Sequence, residues 1–127
     1  MTNIIDHAGL TVGDFERSKA FYVAALGTLR IRLLTDFAHE GHKHAGFGIE
    51  QPTFWIGEGK ARPGGIHMAF AAKSRSEVKS FYTVALATGG RDNGAPGLRA
   101  HYHPNYFGAY VLDPDGNNIE AVCHGVE

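Results

Sequence analysis

The chain has 127 residues, of which 43% are hydrophobic, so it has the length of one domain and enough apolar side chains for a core. Its formal charge of −1 comes from interspersed acidic and basic residues, which disfavours nucleic acids and membrane surfaces as partners. No apolar run is long enough to span a membrane, no signal-peptide pattern is present, and the single cysteine, Cys123, excludes an internal disulfide. We therefore expect a soluble, cytoplasmic protein.

Two stretches of the chain resemble each other at an offset of 60 residues. The segment from Ile4 aligns without a gap with the segment from Gly64, and His7 falls on His67. The other matches are Leu10 on Phe70, Phe21 and Tyr22 on Phe81 and Tyr82, and Ala25 and Leu26 on Ala85 and Leu86. The sequence therefore predicts a single domain, residues 1–127, built of two modules at about 1–57 and 65–127 with a linker at 58–64.

The first module begins with a strand pattern of period two. His7 shares one face of this strand with the small residues Gly9 and Thr11, while larger apolar residues occupy the other face. Asp14 is a candidate N-cap for a helix that ends at Gly27. Short strands are predicted after it, at 29–34, 45–49 and 53–56.

The second module repeats this order. His67 shares a strand face with Ala69 and Ala71, and Ser74 and Glu77 have the spacing of a capping box before the second helix. Strands are predicted at 108–112 and 118–123, joined by a type I turn at Asp-Pro-Asp-Gly, 113–116. Strand, helix and further strands, occurring twice, indicate an α+β fold with helices outside and sheet faces inside.

Three residues are candidate metal ligands. If the modules pair about a pseudo-twofold axis, His7 and His67 converge, and the alternation of the last strand lets Glu120 point into the same cavity. Each side chain alone would more often be solvated or hydrogen-bonded, but the equivalent positions of the two histidines favour a shared site. Two histidines and one carboxylate leave coordination positions open, which suits Fe(II), Mn(II), Zn(II) or Ni(II).

Two further clusters contain histidine. His39, His42 and His44 are interpreted as a solvated loop, whereas the Pro-constrained segment 101–106 combines several hydrogen-bonding and stacking groups before the final strands. The predicted substrate pocket consists of Trp55, His101, Tyr102, His103, Asn105, Tyr106 and His124. The sequence assigns no catalytic residue.

The chain resembles the vicinal oxygen chelate superfamily over essentially its whole length. The resemblance is carried by three segments: IDHAGLTVGDFERSKAFYVAALG, GIHMAFAAKSRSEVKSFYTVAL and FGAYVLDPDGNNIEAV. This superfamily includes glyoxalase I, fosfomycin-resistance thiol transferases, extradiol dioxygenases and bleomycin-resistance proteins. The resemblance implies two βαβββ modules forming a cup-shaped mixed sheet, a homodimer, and His7, His67 and Glu120 as ligands of one divalent ion (Zn, Mn, Fe or Ni). Glyoxalase I has a fourth ligand that aligns near Phe54 or Trp55, where this chain has none.

The resemblance also implies a function. We expect a glyoxalase-like, metal-dependent enzyme that binds a small substrate through vicinal oxygens, with lyase or isomerase chemistry through a metal-stabilised enolate or oxyanion. One alternative is an Fe(II) extradiol-type dioxygenase. Another is a non-catalytic drug- or metabolite-binding resistance protein, although bleomycin-resistance proteins lack the metal triad. The substrate, the metal, and pairing of modules within or between chains stay open at the level of sequence.

Overall fold

The computed structural model describes residues 4–62 and 64–127, and within them the order strand, helix and three strands occurs twice. Pro63, part of the predicted linker, lies outside the described residues. The predicted α+β class with two βαβββ modules is confirmed. The elements are β1 (Ala8–Val12), α1 (Phe15–Gly27), β2 (Arg32–His39), β3 (His42–Gly48), β4 (Pro52–Glu58), β5 (His67–Ala71), α2 (Arg75–Ala87), β6 (Arg91–Leu98), β7 (Phe107–Leu112) and β8 (Asn118–Cys123).

Each module forms one four-stranded mixed sheet, and the two sheets have equivalent topology. The strand orders are β1-β4-β3-β2 and β5-β8-β7-β6. The first and last strands of each module are parallel, and the other neighbours are antiparallel. Within the described part of the chain, β1 and β5 each have a strand partner on one side only.

Both helices begin at the predicted caps. The side chain of Asp14 accepts a hydrogen bond from the Arg17 amide at 3.1 Å, and Ser74 accepts one from the Glu77 amide at the same distance. These bonds satisfy amides that have no partner inside the helix. Within the described residues, neither helix is long and apolar enough to cross a membrane.

Two differences from the predicted strands have a physical reason. The segment 39–44 is not a long loop but the end of a β-hairpin, in which β2 ends at His39 and β3 begins at His42. Glu40 and Gly41 form the turn, with φ angles of 50° and 80°. Strand β6 was not predicted, because its sequence RDNGAPGL is rich in residues that disfavour strands. Its pairing with β7 contains register shifts at Gly94, where φ is 148°.

The helix-bearing faces of the two sheets share one hydrophobic core. Polar bonds also join the modules: the buried hydroxyl of Tyr22 in α1 donates to Asp113 in the β7–β8 turn at 2.5 Å. That turn has the predicted form, since the Gly116 amide donates to the Asp113 carbonyl at 2.9 Å. Arg30 donates two hydrogen bonds to Glu77 in α2, at 2.8 and 3.1 Å. The opposite face of each sheet, which we call the open face, stays free of this core.

Candidate metal centre

The open face of the second sheet carries Glu120. Strand register places Ala69, Glu120 and Tyr110 side by side on β5, β8 and β7, so their side chains share this face. Ala71 and Gly108 lie on the same face and add little bulk. A Cβ atom at Gly108 would lie 3.2 Å from Glu120 Oε2, so the glycine gives the carboxylate room. The small residues Ala69 and Ala71, which share the face of His67, therefore leave this side of Glu120 free of bulky side chains.

His67 and Glu120 lie next to each other on this face. His67 Nε2 lies 3.1 Å from Glu120 Oε1; the carboxylate side chain is 1% exposed and the imidazole 51% exposed. Nitrogen and oxygen ligands of a divalent ion each bind at about 2.0–2.2 Å, so two neighbouring ligand atoms lie roughly 3 Å apart. The separation of this pair fits a shared divalent ion.

The second oxygen of Glu120 is occupied by Tyr106, whose hydroxyl donates to Oε2. Burial, together with this bond to the carboxylate, raises the pKa of Tyr106 well above its ordinary value, so the phenol keeps its proton at neutral pH. Two backbone bonds hold the residue in place: the Arg99 amide donates to its carbonyl at 2.7 Å, and its amide donates to the His103 carbonyl at 3.1 Å. Glu120 is thereby oriented with Oε1 toward His67.

His7 does not join this pair within the chain. It is exposed, and its Nδ1 lies 2.7 Å from Asp6 Oδ1. Across residues 4–62 and 64–127, no group of three His, Cys, Asp or Glu side chains is close enough to hold a metal ion. One chain by itself thus presents two of the three predicted ligands in one place.

The predicted pocket residues of the segment 101–106 form a cluster beside Tyr106. The Asn105 amide donates to His103 Nδ1 at 3.0 Å, and His103 Nε2 lies 3.2 Å from His124 Nδ1. The Asn105 amide engages Nδ1 of His103, so Nε2 is the ring nitrogen that faces His124. The Tyr102 ring lies 4.9 Å from the Tyr106 ring, and the rings of His101 and Tyr102 are 4.2 Å apart.

A cavity of about 760 Å³ lies along the free edge of β5, with Ala8 at the start of β1 on its other side. Asp6 and Ala8 line it from the first module, and His67 and Ala69 line it from the second. Most of the remaining lining is apolar. The volume is that of a pocket for a small molecule.

Trp55 lies apart from this cluster, on the open face of the first sheet. Trp55 on β4 lies between Gly9 on β1 and Gly46 on β3. In the second sheet, Glu120 on β8 lies in the same way between Ala69 on β5 and Tyr110 on β7. Trp55 therefore occupies the position equivalent to Glu120, where glyoxalase I is expected to have its fourth ligand. Phe54, the other residue considered for that position, is 3% exposed and belongs to the core.

Tyr110 and Phe37 lie on open faces, although neither belongs to the predicted pocket. The His67 and Tyr110 rings stack with centroids 6.3 Å apart, and Phe37 stacks on His44 at 5.4 Å. Alternation along β7 would have placed Tyr110 on the same face as Gly108. For Phe37 the signal was weaker, because the predicted strand ended at 34 and the segment 39–44 was interpreted as a loop.

Comparison with known proteins agrees with this architecture. A profile of the Glyoxalase/Bleomycin resistance protein/Dioxygenase superfamily matches residues 4–121. A glyoxalase/bleomycin resistance protein from Albidiferax ferrireducens T118 is 30% identical, with a TM-score of 0.76 over 95% of this chain and 99% of that chain. No curated protein matches the chain.

More distant structures share the fold. A glyoxalase-related enzyme from Fulvimarina pelagi is 20% identical, with a TM-score of 0.69 over 96% of this chain and 88% of that chain. Glyoxalase I from Zea mays is 23% identical, with a TM-score of 0.69; the match covers 94% of this chain but 45% of the maize protein. Since the superfamily profile covers nearly the whole sequence, the chain belongs to the Glyoxalase/Bleomycin resistance protein/Dioxygenase superfamily.

Proposed function

We propose that this protein is a metal-dependent enzyme that binds a small substrate through two vicinal oxygens and catalyses lyase- or isomerase-type chemistry. One divalent ion is held by His67 and Glu120 of one chain and by His7 of a second copy. The observation that carries the proposal is the 3.1 Å separation of His67 Nε2 and Glu120 Oε1 on an open sheet face. The small residues Ala69 and Ala71 leave space for a substrate on this face, next to His67 and Glu120.

The surroundings of Glu120 support a binding role over a purely structural one. A buried carboxylate is costly unless it is paired, and Tyr106 satisfies only one of its oxygens. The other oxygen has the half-exposed His67 as its neighbour. The two ligand atoms are thus oriented before an ion arrives, which favours metal binding.

A homodimer would supply the third ligand. His7 directly precedes the edge strand β1, and β5 is the edge strand of the other sheet, so both edges are available to a second copy. A dimer that places β1 of one copy beside β5 of the other would bring His7 to the pair. Two equivalent centres per dimer would result, because such an interface is reciprocal.

The residues around the pair have separate tasks in this proposal. A divalent ion supplies a Lewis acid that favours negative charge on the substrate oxygens. Tyr106 keeps Glu120 in its orientation. The His103–His124 pair places two imidazoles next to Tyr106, and imidazole is the usual side chain for proton transfer to or from a substrate.

Metal analysis tests the proposal directly. Untagged protein is dialysed against Mn(II), Fe(II), Ni(II) or Zn(II), and the bound metal per chain is measured by mass spectrometry. We expect one tightly bound ion per chain with at least one of these metals. Protein that stays free of all four would overturn the assignment.

A mixing experiment tests the shared centre. Chains carrying His7→Ala and chains carrying His67→Ala each lack one ligand in every site, so each variant alone should bind little metal. A mixed dimer contains one intact centre, because its native His7 and its native His67 come from different copies. Recovered metal binding supports sharing between copies, and no recovery in mixed dimers would refute it without affecting the metal analysis.

Oxygen uptake separates the proposed chemistry from ring cleavage. The protein is reconstituted with Fe(II) without air and then mixed with catechols in aerated buffer. Lyase or isomerase chemistry predicts no consumption of oxygen above the rate of free Fe(II). Catalytic uptake would replace the proposed reaction with that of a dioxygenase.

A further inference from the structure

The open face of the first sheet carries three aromatic side chains in contact, Phe37, His44 and Trp55, which we call the aromatic platform. Phe37 stacks on His44 with ring centroids 5.4 Å apart, and Trp55 meets Phe37 edge-on at 6.0 Å. Phe37 is 46% exposed, although it lies on a β-strand and not on a loop. An exposed aromatic cluster on a rigid sheet usually marks a binding surface.

A glycine makes the platform flat. A Cβ atom at Gly46 would lie 2.9 Å from two atoms of the Trp55 ring, so the indole lies directly over this residue. In the second sheet the equivalent position is Tyr110, beside Glu120. The first module therefore has an indole where the second has a carboxylate and a phenol.

The two strand rows that carry the platform contain no Asp, Glu, Lys or Arg. The row through Trp55 contains Gly9, Gly46 and Thr35, and the next row contains Thr11, Gly57, His44 and Phe37. Asp36, between these rows on β2, belongs to the other face, where it pairs with Lys19 of α1. A surface of this kind favours a planar aromatic group over an anionic one.

The platform is fixed close to His7. Gly9 pairs with Trp55, and His7 precedes Gly9 by two residues. With about 3.3 Å per residue along a strand and about 4.8 Å between strands, the Cα atoms of His7 and Trp55 are about 8 Å apart. An arrangement that brings His7 to His67 and Glu120 therefore also brings β4, the strand that carries Trp55, close to that pair.

We propose that the aromatic platform binds a planar aromatic ring of the substrate whose vicinal oxygens are held at His67 and Glu120. This inference rests on the proposed function and adds the class of substrate. The ring stacks on Trp55 or meets it edge-on, with Phe37 bordering it. Substrates that combine an aromatic ring with adjacent oxygens are thus preferred to their saturated analogues.

The chain contains a single tryptophan, so its fluorescence reports on Trp55 alone. Zn-loaded protein, which has no redox activity, is titrated with catechol or with cyclohexane-1,2-diol, and emission is excited at a wavelength that catechol does not absorb. We expect saturable quenching by catechol and at least tenfold weaker binding of the saturated diol. Equal affinities for catechol and the saturated diol, without a change in Trp55 emission, would overturn the proposal. They would not affect the assignment of the metal centre.

Metal-free protein separates the two proposals. Catechol should still quench Trp55 in a saturable way, at higher concentrations, because the platform does not depend on the ion. If no metal binds but this quenching persists, the proposed function fails and the platform stands as a binding surface for aromatic rings. If emission varies with protein concentration and not with catechol, a second copy covers the platform, and the inference is wrong.

Variants give matched controls. Phe37→Leu should weaken catechol binding about three- to tenfold, which is the usual range for an aromatic contact. Gly46→Ala should shift the Trp55 emission and weaken binding, because its Cβ displaces the indole. Gly9→Ala should do neither: its Cβ would lie 3.5 Å from the nearest atom, and the second module has Ala69 at this position. Unchanged binding in both Phe37→Leu and Gly46→Ala would refute the platform.

Discussion

The two open faces share one backbone plan but differ in chemistry. Gly9, Trp55 and Gly46 form the row of the first sheet that corresponds to Ala69, Glu120 and Tyr110 in the second. One face pairs a carboxylate with an imidazole, and the other has an indole over a glycine. A duplicated module can therefore keep its register while a few side chains decide whether a face suits a metal ion or an aromatic ring. Substitutions on the two open faces test this contrast.

His67→Ala should have the largest effect. It removes one ligand of the proposed centre, and we expect metal affinity to fall at least a hundredfold while the protein stays folded, because the imidazole is 51% exposed and lies outside the hydrophobic core. The control is His44→Ala, which removes the histidine of the other open face and should leave the affinity unchanged. Titration calorimetry of both variants with Zn(II) measures the difference in metal affinity. Equal losses in the two variants would contradict the assignment of the metal centre to the second module.

Tyr106→Phe removes the hydroxyl that holds Glu120 Oε2. We expect metal affinity to fall about tenfold to a hundredfold, as for other residues that orient a ligand. Tyr102→Phe is the control, because Tyr102 lies in the same loop but is 60% exposed. Zn(II) titration and a thermal unfolding curve for each variant separate lost orientation from lost stability. An unchanged affinity in Tyr106→Phe would show that Glu120 needs no support.

Trp55→Glu makes the first face resemble the second. A carboxylate at the position equivalent to Glu120 should add a fourth protein ligand in the assembled dimer and raise Zn(II) affinity about tenfold. X-ray absorption of the Zn-loaded variant should show one more oxygen ligand from the protein. Trp55→Gly serves as the control, because it removes the indole without adding a ligand. If Trp55→Glu binds no more tightly than Trp55→Gly, this row does not approach the metal centre.

The smallest effect concerns a second asymmetry between the modules. Glu77 in α2 bonds to Arg30 of the first module, while Glu16 in the first turn of α1 is 66% exposed and pairs with Lys43 at 3.2 Å. The bonds from Arg30 and from the Lys73 amide lower the pKa of Glu77 from 4.5 to about 2. Because the folded pKa is below the unfolded one, ionised Glu77 stabilises the fold above pH 4.5, and this contribution is lost as the pH falls toward 2.

Glu77→Gln should therefore lower the free energy of unfolding by about 1 kcal/mol at pH 7. The difference in free energy of unfolding between Glu77→Gln and the unsubstituted protein should become smaller as the pH falls toward 2. Urea unfolding at several pH values measures it. Glu16→Gln should cost only a few tenths of a kcal/mol, since exposed ion pairs contribute little. A gap that stays constant in acid would mean that Arg30 does not stabilise the charged form of Glu77.

The sequence predicted the parts of the fold that depend on local patterns. Asp14 and Ser74 were recognised as caps because capping needs only a few adjacent residues. Strand β6 was missed because register with β7, and not intrinsic propensity, makes it a strand. The hairpin at Glu40 and Gly41 was missed for a related reason, since its histidines resemble a solvated loop until the pairing of β2 with β3 is known.

The sequence by itself determined the duplication, the α+β class and the candidacy of His67 and Glu120, because repeats and alternation are properties of the order of residues. Tertiary structure decided which side chains meet: Tyr106 with Glu120, Phe37 with Trp55, and Trp55 in the position equivalent to Glu120. It also decided that His7 stays apart from the pair within one chain. Such contacts depend on strand register and on the packing of separate modules, which bring together residues far apart in the chain.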